Sequence, residues 1–169
     1  DISNKITRIA HEIIEHHNDL SNLALLGIHN RGVPIAGRLR KLIQDFTNIK
    51  IQRGSLDITF HRDDFRERLT MPEIKGTDIQ FDLSDKVIIL VDDVLYSGRT
   101  IRAALDEINS FGMPSIIRLA VLVDRGHREL PIRADFVGKN IPTHSGEHIA
   151  VLLVESDGED GVFLINGDG

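Results

Sequence analysis

The sequence predicts an α/β fold with a mostly parallel central sheet flanked by helices, and two observations carry that prediction. Short apolar runs alternate along the chain with segments of helical apolar spacing, the pattern of successive βα units. The clearest unit is Val87-Ile88-Ile89-Leu90-Val91, which runs into Asp92 and Asp93, then a small-residue turn, then helical spacing at Ile101, Ala104, Leu105, Ile108 and Phe111. A continuous apolar run without alternation reads as a strand buried on both faces. At 169 residues the chain is long enough for one domain with a proper core, so 1–169 is expected to be a single unit.

The elements follow in order. Residues 2–17 place Ile2, Ile6, Ile9, Ala10, Ile13 and Ile14 on one helical face. Leu23–Ile28 reads as a short buried strand, and Gly32 to about Phe46 as a helix with Val33, Ile35, Ala36, Leu39, Leu42, Ile43 and Phe46 supplying its apolar positions. Ile49–Phe60 is expected to hold a strand marked by Ile51, Leu56, Ile58 and Phe60. Residues 61–84 have no sustained period, are rich in charge and contain Pro72 and Gly76. So long an unpatterned stretch inside a compact domain is functional or disordered, and a flexible loop is expected there. Strands are expected at 86–92 and 115–123, with shorter ones at 134–138, 148–154 and 161–165.

Composition narrows the function classes. The chain has no cysteine, which excludes disulfides, a thiolate nucleophile and Cys-based metal sites. No apolar run reaches the roughly 20 residues that span a bilayer. The N-terminus lacks signal-peptide organisation, and the chain opens at Asp1 rather than Met, so a few residues are expected to precede it. Tryptophan is absent and aromatics make up 5%, which argues against an aromatic base-stacking platform for RNA. A net charge of −6 also lacks the basic footprint of nucleic-acid binding. The basic residues are nevertheless clustered: Arg118, Arg125, His127, Arg128 and Arg133 in one region, Arg8, His11, His16 and His17 in another. Brought together, they form one basic face. On composition alone, solvated surface is the better reading.

Three constellations carry chemistry. In the first, a strand feeds Asp92 and Asp93 into the turn Ser97-Gly98-Arg99-Thr100 at a helix N-terminus. Unpaired N–H groups and the helix dipole favour an anion there, and adjacent carboxylates suit a vicinal diol. A ribose 5-phosphate satisfies both halves. The competing reading is an ordinary βα turn with two solvent-facing aspartates. No Walker A loop and no GxGxxG fingerprint occurs. The second constellation is Gly27-Ile28-His29-Asn30-Arg31-Gly32-Val33-Pro34, where Arg31 suits bidentate phosphate contact and the glycines permit unusual backbone angles. A Gly-rich turn with a surface arginine is its alternative. The third is Asp57 with Arg62, Asp63 and Asp64, for which a surface ion cluster competes.

The first constellation resembles the phosphoribosyl diphosphate signature of type I phosphoribosyltransferases. Three further segments are similar to the PyrR family: Gly27–Gly32, Leu56–Thr59 with Arg62–Asp64, and Asp124-Arg125-Gly126-His127-Arg128-Glu129-Leu130-Pro131-Ile132-Arg133-Ala134. The resemblance runs from Thr7-Arg8-Ile9-Ala10-His11-Glu12 to Gly138-Lys139-Asn140-Ile141-Pro142-Thr143. It implies the type I phosphoribosyltransferase fold, with the 61–84 loop closing over the site and a small hood within about 124–169 that takes part in base recognition. It implies two activities. One is uracil phosphoribosyltransferase activity on uracil and phosphoribosyl diphosphate; the other is UMP- or UTP-dependent binding of pyrimidine-operon leader mRNA that attenuates expression. Mg²⁺ is implied as cofactor, bound mainly through substrate with no dedicated protein ligand set.

By the same resemblance Asp92, Asp93 and Arg62 are the catalytic residues. Leu95, Tyr96, Ser97, Gly98, Arg99 and Thr100 take the 5′-phosphate, while His29, Asn30, Arg31 and Gly32 take pyrophosphate. Val137 and Lys139 lie at the base, and Thr7, Arg8, His11, Arg128 and Arg133 contact RNA. Asn30 stands where the family more often has Thr, and His61 where it has Tyr. A bacterial cytoplasmic protein is implied, assembled as a homodimer or larger homo-oligomer, without membrane contact. The alternatives are a salvage uracil phosphoribosyltransferase without an RNA role and a purine-using relative; the Asp124–Ala134 segment argues against the latter.

Overall fold

The computed structural model describes residues 1–59 and 76–167. Helix α1 (Ile2–His16) is capped by Asp1, whose carboxylate accepts from the Ser3 N–H at 2.9 Å. A 3₁₀ turn (Leu20–Asn22) leads into strand β1 (Leu23–Ile28), helix α2 (Gly32–Thr47) and strand β2 (Gln52–Leu56). Helix α2 stops at Asn48, which takes the left-handed conformation at φ 60°. Strand β3 (Val87–Leu95), helix α3 (Arg99–Asn109), strand β4 (Ile116–Asp124) and strand β5 (Phe136–Asn140) follow. The described chain ends in an antiparallel pair, β6 (Glu147–Leu152) and β7 (Gly161–Asn166), joined through the short helix α4 (Val154–Asp157).

Strands β2-β1-β3-β4-β5 form one sheet in that order, and every pairing in it is parallel. Two-residue alternation splits each central strand between two cores. Leu23, Leu25, Ile89, Val91, Ala120 and Leu122 face α1 and α2, together with Val151 and Leu153 of the β6–β7 unit. Ala24, Leu26, Ile88, Leu90, Leu119 and Val121 face α3. Ile2, Ile6, Ile9, Ala10 and Ile13 form the inward stripe of α1. Fully burying an aliphatic side chain is worth about 1.5–3 kcal/mol, so this stripe rather than intrinsic propensity fixes the helix.

Several expected boundaries move. The expected strand 49–60 shortens to β2, because pairing with β1 ends at Ile28↔Leu56 and the next N–H, of Asp57, is taken by Thr77 Oγ1. The expected strand 86–92 runs on to Leu95. Pairing with β1 ends at Gly27↔Val91, but pairing with β4 continues through Asp92↔Val121 to Leu95↔Asp124. The acidic pair therefore lies inside β3, where one flank is already open. The expected strand 134–138 begins later, at Phe136, because Asp135 exchanges bonds with the Leu119 backbone instead. Of the segment 61–84, residues 76–84 are described and seated. Ser55 and Asp78 form a β-bridge, Ile79 and Phe81 pack on the α3-side core, and Leu83 is buried in it.

Candidate active site

The end of β3 and the 96–98 turn bring the first constellation together. Asp92 is 7% exposed and Asp93 half-buried. The Asp92 carboxylate accepts from the Asp93 N–H at 2.9 Å, and that of Asp93 from the Val94 N–H at 2.8 Å. Burial, and then the neighbouring Asp93 charge, push the Asp92 carboxyl well above its ordinary value. The two acids are thus unequal: one is an interior carboxyl, the other is half-buried. Val91 and Val94, three residues apart, both face the α1–α2 core, so the strand's alternation breaks across the acidic pair. Helix α3 starts at Arg99 with Gly98 before it at φ 94°, a left-handed angle that suits glycine. The Ser97 hydroxyl accepts from the Arg99 N–H at 3.2 Å, and Leu95 is buried beneath the turn. Tyr96 and Arg99 are exposed, Ser97 and Thr100 half-buried.

The 29–32 turn packs directly against this strand. A Cβ on Gly32 would overlap the Val91 carbonyl oxygen, and one on Gly27 would meet the Gly32 carbonyl. Both glycines are therefore required by close approach. The His29–Asn30 peptide is cis. The His29 N–H donates to the Leu56 carbonyl at 2.9 Å, and its ring Nε2 lies 3.0 Å from the Gly76 carbonyl oxygen. Arg31 is not a solvated surface arginine. It donates to Asp157 of α4 through Nε at 3.2 Å and Nη2 at 2.7 Å. That pairing raises the guanidinium pKa, and the Asp93 charge adds to the effect. Asn30 is exposed.

The Asp124–Ala134 segment turns out to be the scaffold of the 96–98 turn. Arg128 donates through Nε to the Ile132 carbonyl, through Nη1 to the Tyr96 carbonyl, and through Nη2 to Asp124, at 2.7, 2.7 and 2.8 Å. The Ser97 carbonyl accepts from the N–H groups of Glu129 and Leu130, and Glu129 pairs with Arg99. Arg125 is 7% exposed, lies 4.1 Å from the Tyr96 ring centre and donates to Thr143 Oγ1. Arg128, expected at the RNA, also ties this loop system together through its guanidinium.

The remaining expected residues are scattered. Arg8 donates to Glu12 and to the Val137 and Gly138 carbonyls, tying α1 to β5. His11 stacks on Phe46 with ring centres 4.3 Å apart, and the Thr7 hydroxyl donates to the Ser3 carbonyl. Arg133 is exposed beside Ile132, which packs on the α3-side core, so it lies across the sheet from α1. Within one chain the two basic regions do not form a single face. Val137 packs on the α3-side core, whereas Lys139 lines a cleft of about 430 Å³ with Lys5, Leu122, Ile141, Asp160 and Val162; the two do not share it. Arg62, His61, Asp63 and Asp64 lie outside the described residues.

Sequence reasoning gave no role to Asp157, Arg125, Thr143 or the buried Glu107, which accepts from Thr77 Oγ1 at 2.7 Å. The acidic turn Glu155-Ser156-Asp157-Gly158-Glu159-Asp160 after an apolar run was the available signal for the first. Its counterpart is Arg38, which donates to Glu155 and Asp160.

The model of the phosphoribosyl transferase domain family matches residues 1–155. The bifunctional protein PyrR of Clostridioides difficile is 56% identical over 96% of this chain and 92% of its own length. Those of Deinococcus radiodurans and Thermus thermophilus are 54% and 55% identical, over 98% and 96% of this chain and 91% and 90% of their own. Among solved structures, the hypoxanthine phosphoribosyltransferase of Trypanosoma cruzi superposes with a TM-score of 0.70 at 16% identity, covering 99% of this chain and 93% of that one. A hypoxanthine phosphoribosyltransferase of Staphylococcus aureus gives 0.64 at 19% identity, over 85% and 74%. At these identities the structures establish the fold alone.

Proposed function

This chain belongs to the PyrR family of phosphoribosyltransferase-domain proteins, and from that premise we propose that it carries two activities on one scaffold. It converts uracil and phosphoribosyl diphosphate to UMP and pyrophosphate, and it binds pyrimidine-operon leader mRNA when UMP or UTP occupies the nucleotide site, attenuating expression. The observation that carries this reading is identity of 52–56% to bifunctional PyrR proteins along almost the whole chain. That span includes the Asp124–Ala134 segment, which a generic ribose-phosphate site does not require.

In the transfer, the C1–O bond to pyrophosphate breaks with its electron pair leaving on the phosphate oxygen. N1 of uracil bonds to C1, and its proton passes to solvent. The transition state carries positive charge on the ribose, so the protein's task is positioning and electrostatics. In this reading Asp93, the half-buried carboxylate, receives the ribose hydroxyls and faces the developing charge. Asp92, buried and with its carboxyl held well above its ordinary value by that burial, anchors the strand beneath by accepting from the Asp93 N–H. Backbone N–H groups and hydroxyls from Leu95 to Thr100 hold the 5′-phosphate at the start of α3. His29, Asn30, Arg31 and Gly32 line the pyrophosphate, with Arg31 pre-oriented by Asp157. Val137 and Lys139 serve the base side, and Arg62, outside the described residues, acts on the leaving group. Thr7, Arg8, His11, Arg128 and Arg133 contribute to the RNA surface, with Arg8 acting through the α1–β5 junction.

The donor set suits a metal delivered with substrate. Among the described residues no group of three or more His, Asp and Glu side chains could hold an ion. Asp93 offers hard oxygens beside the pyrophosphate turn, as Mg²⁺ accepts when it keeps most of its waters. When bound, Mg²⁺ neutralises the pyrophosphate and steadies it as leaving group. We further place the protein in the bacterial cytoplasm as a homodimer or larger homo-oligomer; among the described residues no helix is long and apolar enough to cross a membrane. The test of the enzymatic half is UMP formation from uracil and phosphoribosyl diphosphate with Mg²⁺, using hypoxanthine as competitor. Turnover of hypoxanthine in preference to uracil refutes the reading.

A further inference from the structure

A chain of net charge −6 that binds a polyanion must do so through cations not already neutralised inside the fold. The basic residues of the 118–133 region divide sharply on this criterion. Arg125 and Arg128 spend their guanidinium groups on Thr143, the Glu147, Ile132 and Tyr96 carbonyls, and Asp124. Arg118 and Arg133 have no hydrogen-bond or ion-pair partner among the described residues. Both line one cleft of about 220 Å³ on the α3 side of the sheet. The Nε of Arg118 is buried there without any partner, an unusual state for a guanidinium donor. The cleft floor is apolar, formed by Leu105, Ile117, Pro131 and Ile132. Its remaining charged group is Asp135, whose Oδ2 accepts from the Leu119 N–H at 2.8 Å.

We infer that this cleft is a contact site for RNA, in which Arg118 and Arg133 grip a backbone phosphate and the apolar floor receives an adjoining sugar or base. The inference rests on the RNA-binding half of the proposed function and names a surface for it. Two guanidinium forks match phosphate geometry in a way that scattered lysines do not. Asp135 leaves the cleft with a net charge of +1, from two arginines and one aspartate, which disfavours a free multiply charged anion and favours a singly charged phosphodiester. The 430 Å³ cleft at Lys139 also holds two lysines, but Asp1 and Asp160 line it too, and it adjoins the proposed base side.

The experiment is retention of the pyrimidine-operon leader RNA by the full chain with UMP, titrated from 0.05 to 0.3 M salt, for the unmodified protein, Arg118→Gln and Arg118→Lys. Uracil transfer is measured on the same samples as evidence of folding. Arg118→Gln is expected to weaken binding about five- to tenfold near 0.1 M salt and to lower the salt slope by about one, with uracil transfer intact. Arg118→Lys should keep the slope and lose part of the affinity. Unchanged affinity and slope in Arg118→Gln, beside tight binding by the unmodified protein, overturns the cleft assignment alone. Failure of the unmodified protein to retain the leader RNA overturns the RNA-binding reading and this inference with it. Competition by inorganic phosphate for the same arginine-dependent retention, beyond its effect on ionic strength, would show a free-anion site instead and also overturn it.

Discussion

Arg31 and Asp157, 126 positions apart in sequence, meet in a two-point ion pair that joins the 29–32 turn to the β6–β7 unit. Seven residues further along α2, Arg38 grips Glu155 and Asp160 on either side of the same turn. The β6–β7 unit is therefore fastened to α2 at two levels, and the lower fastening orients an arginine of the proposed active site. Asp157→Asn is expected to raise the KM for phosphoribosyl diphosphate several-fold with a smaller change in kcat, because Arg31 loses its fixed orientation. Steady-state kinetics in varied phosphoribosyl diphosphate check this.

The same contacts give stability an acid limb. Hydrogen bonds from Arg31 and Arg38 hold the carboxyls of Asp157, Asp160 and Glu155 below their ordinary 3.8, 3.8 and 4.5. The unfolded chain therefore takes up protons first as pH falls. Their stabilisation is complete above about pH 5 and is lost as pH drops through 4 and below. Thermal melting between pH 2.5 and 6 should show this loss, and Arg38→Met should lower Tm near pH 6 while flattening the acid limb.

Asp92 behaves in the opposite sense. Its carboxyl is raised above 3.8 in the folded protein, so its burial costs more stability as pH rises from about 4 through the folded value. Asp92→Asn keeps the acceptor for the Asp93 N–H and removes that cost. Its Tm should exceed that of the unmodified protein at pH 8, with the gap closing toward pH 3.5. Uracil transfer should nevertheless fall, by about 10²-fold if the strand end shifts by about 1 Å.

Arg128 separates scaffold from RNA contact. Because it holds the Tyr96 carbonyl, the Ile132 carbonyl and Asp124 together, Arg128→Ala should impair uracil transfer and RNA retention alike. Loss of RNA retention with unaltered transfer would show that the guanidinium leaves these partners in solution. Gly32→Ala should cost about 1–3 kcal/mol in chemical denaturation, since its Cβ has no room against Val91.

Where one stretch of chain carried its own pattern, the sequence was readable. The Val87–Val91 run, the Ile101–Ile108 spacing and the α1 stripe each fold as their periodicity predicts, because burial on a sheet decides them. The extension of β3 to Leu95 was not readable, since it depends on β4 remaining paired after β1 has ended. The charged residues were legible only in proportion to how near their partners lie. Arg8 and Arg128 look like surface cations in sequence, and only the fold reveals the carbonyls of β5 and of the 96–98 turn beside them. Asp157 gave no local reason to be matched with Arg31.

The central claim, that one scaffold serves both transfer and attenuation, is tested most directly by filter retention of the host's pyrimidine-operon leader RNA at a fixed salt concentration, with and without UMP. Tight binding that UMP strengthens and a scrambled hairpin does not share is the expected result. Absence of binding under both conditions, in a preparation that makes UMP from uracil, contradicts the claim and leaves a salvage enzyme.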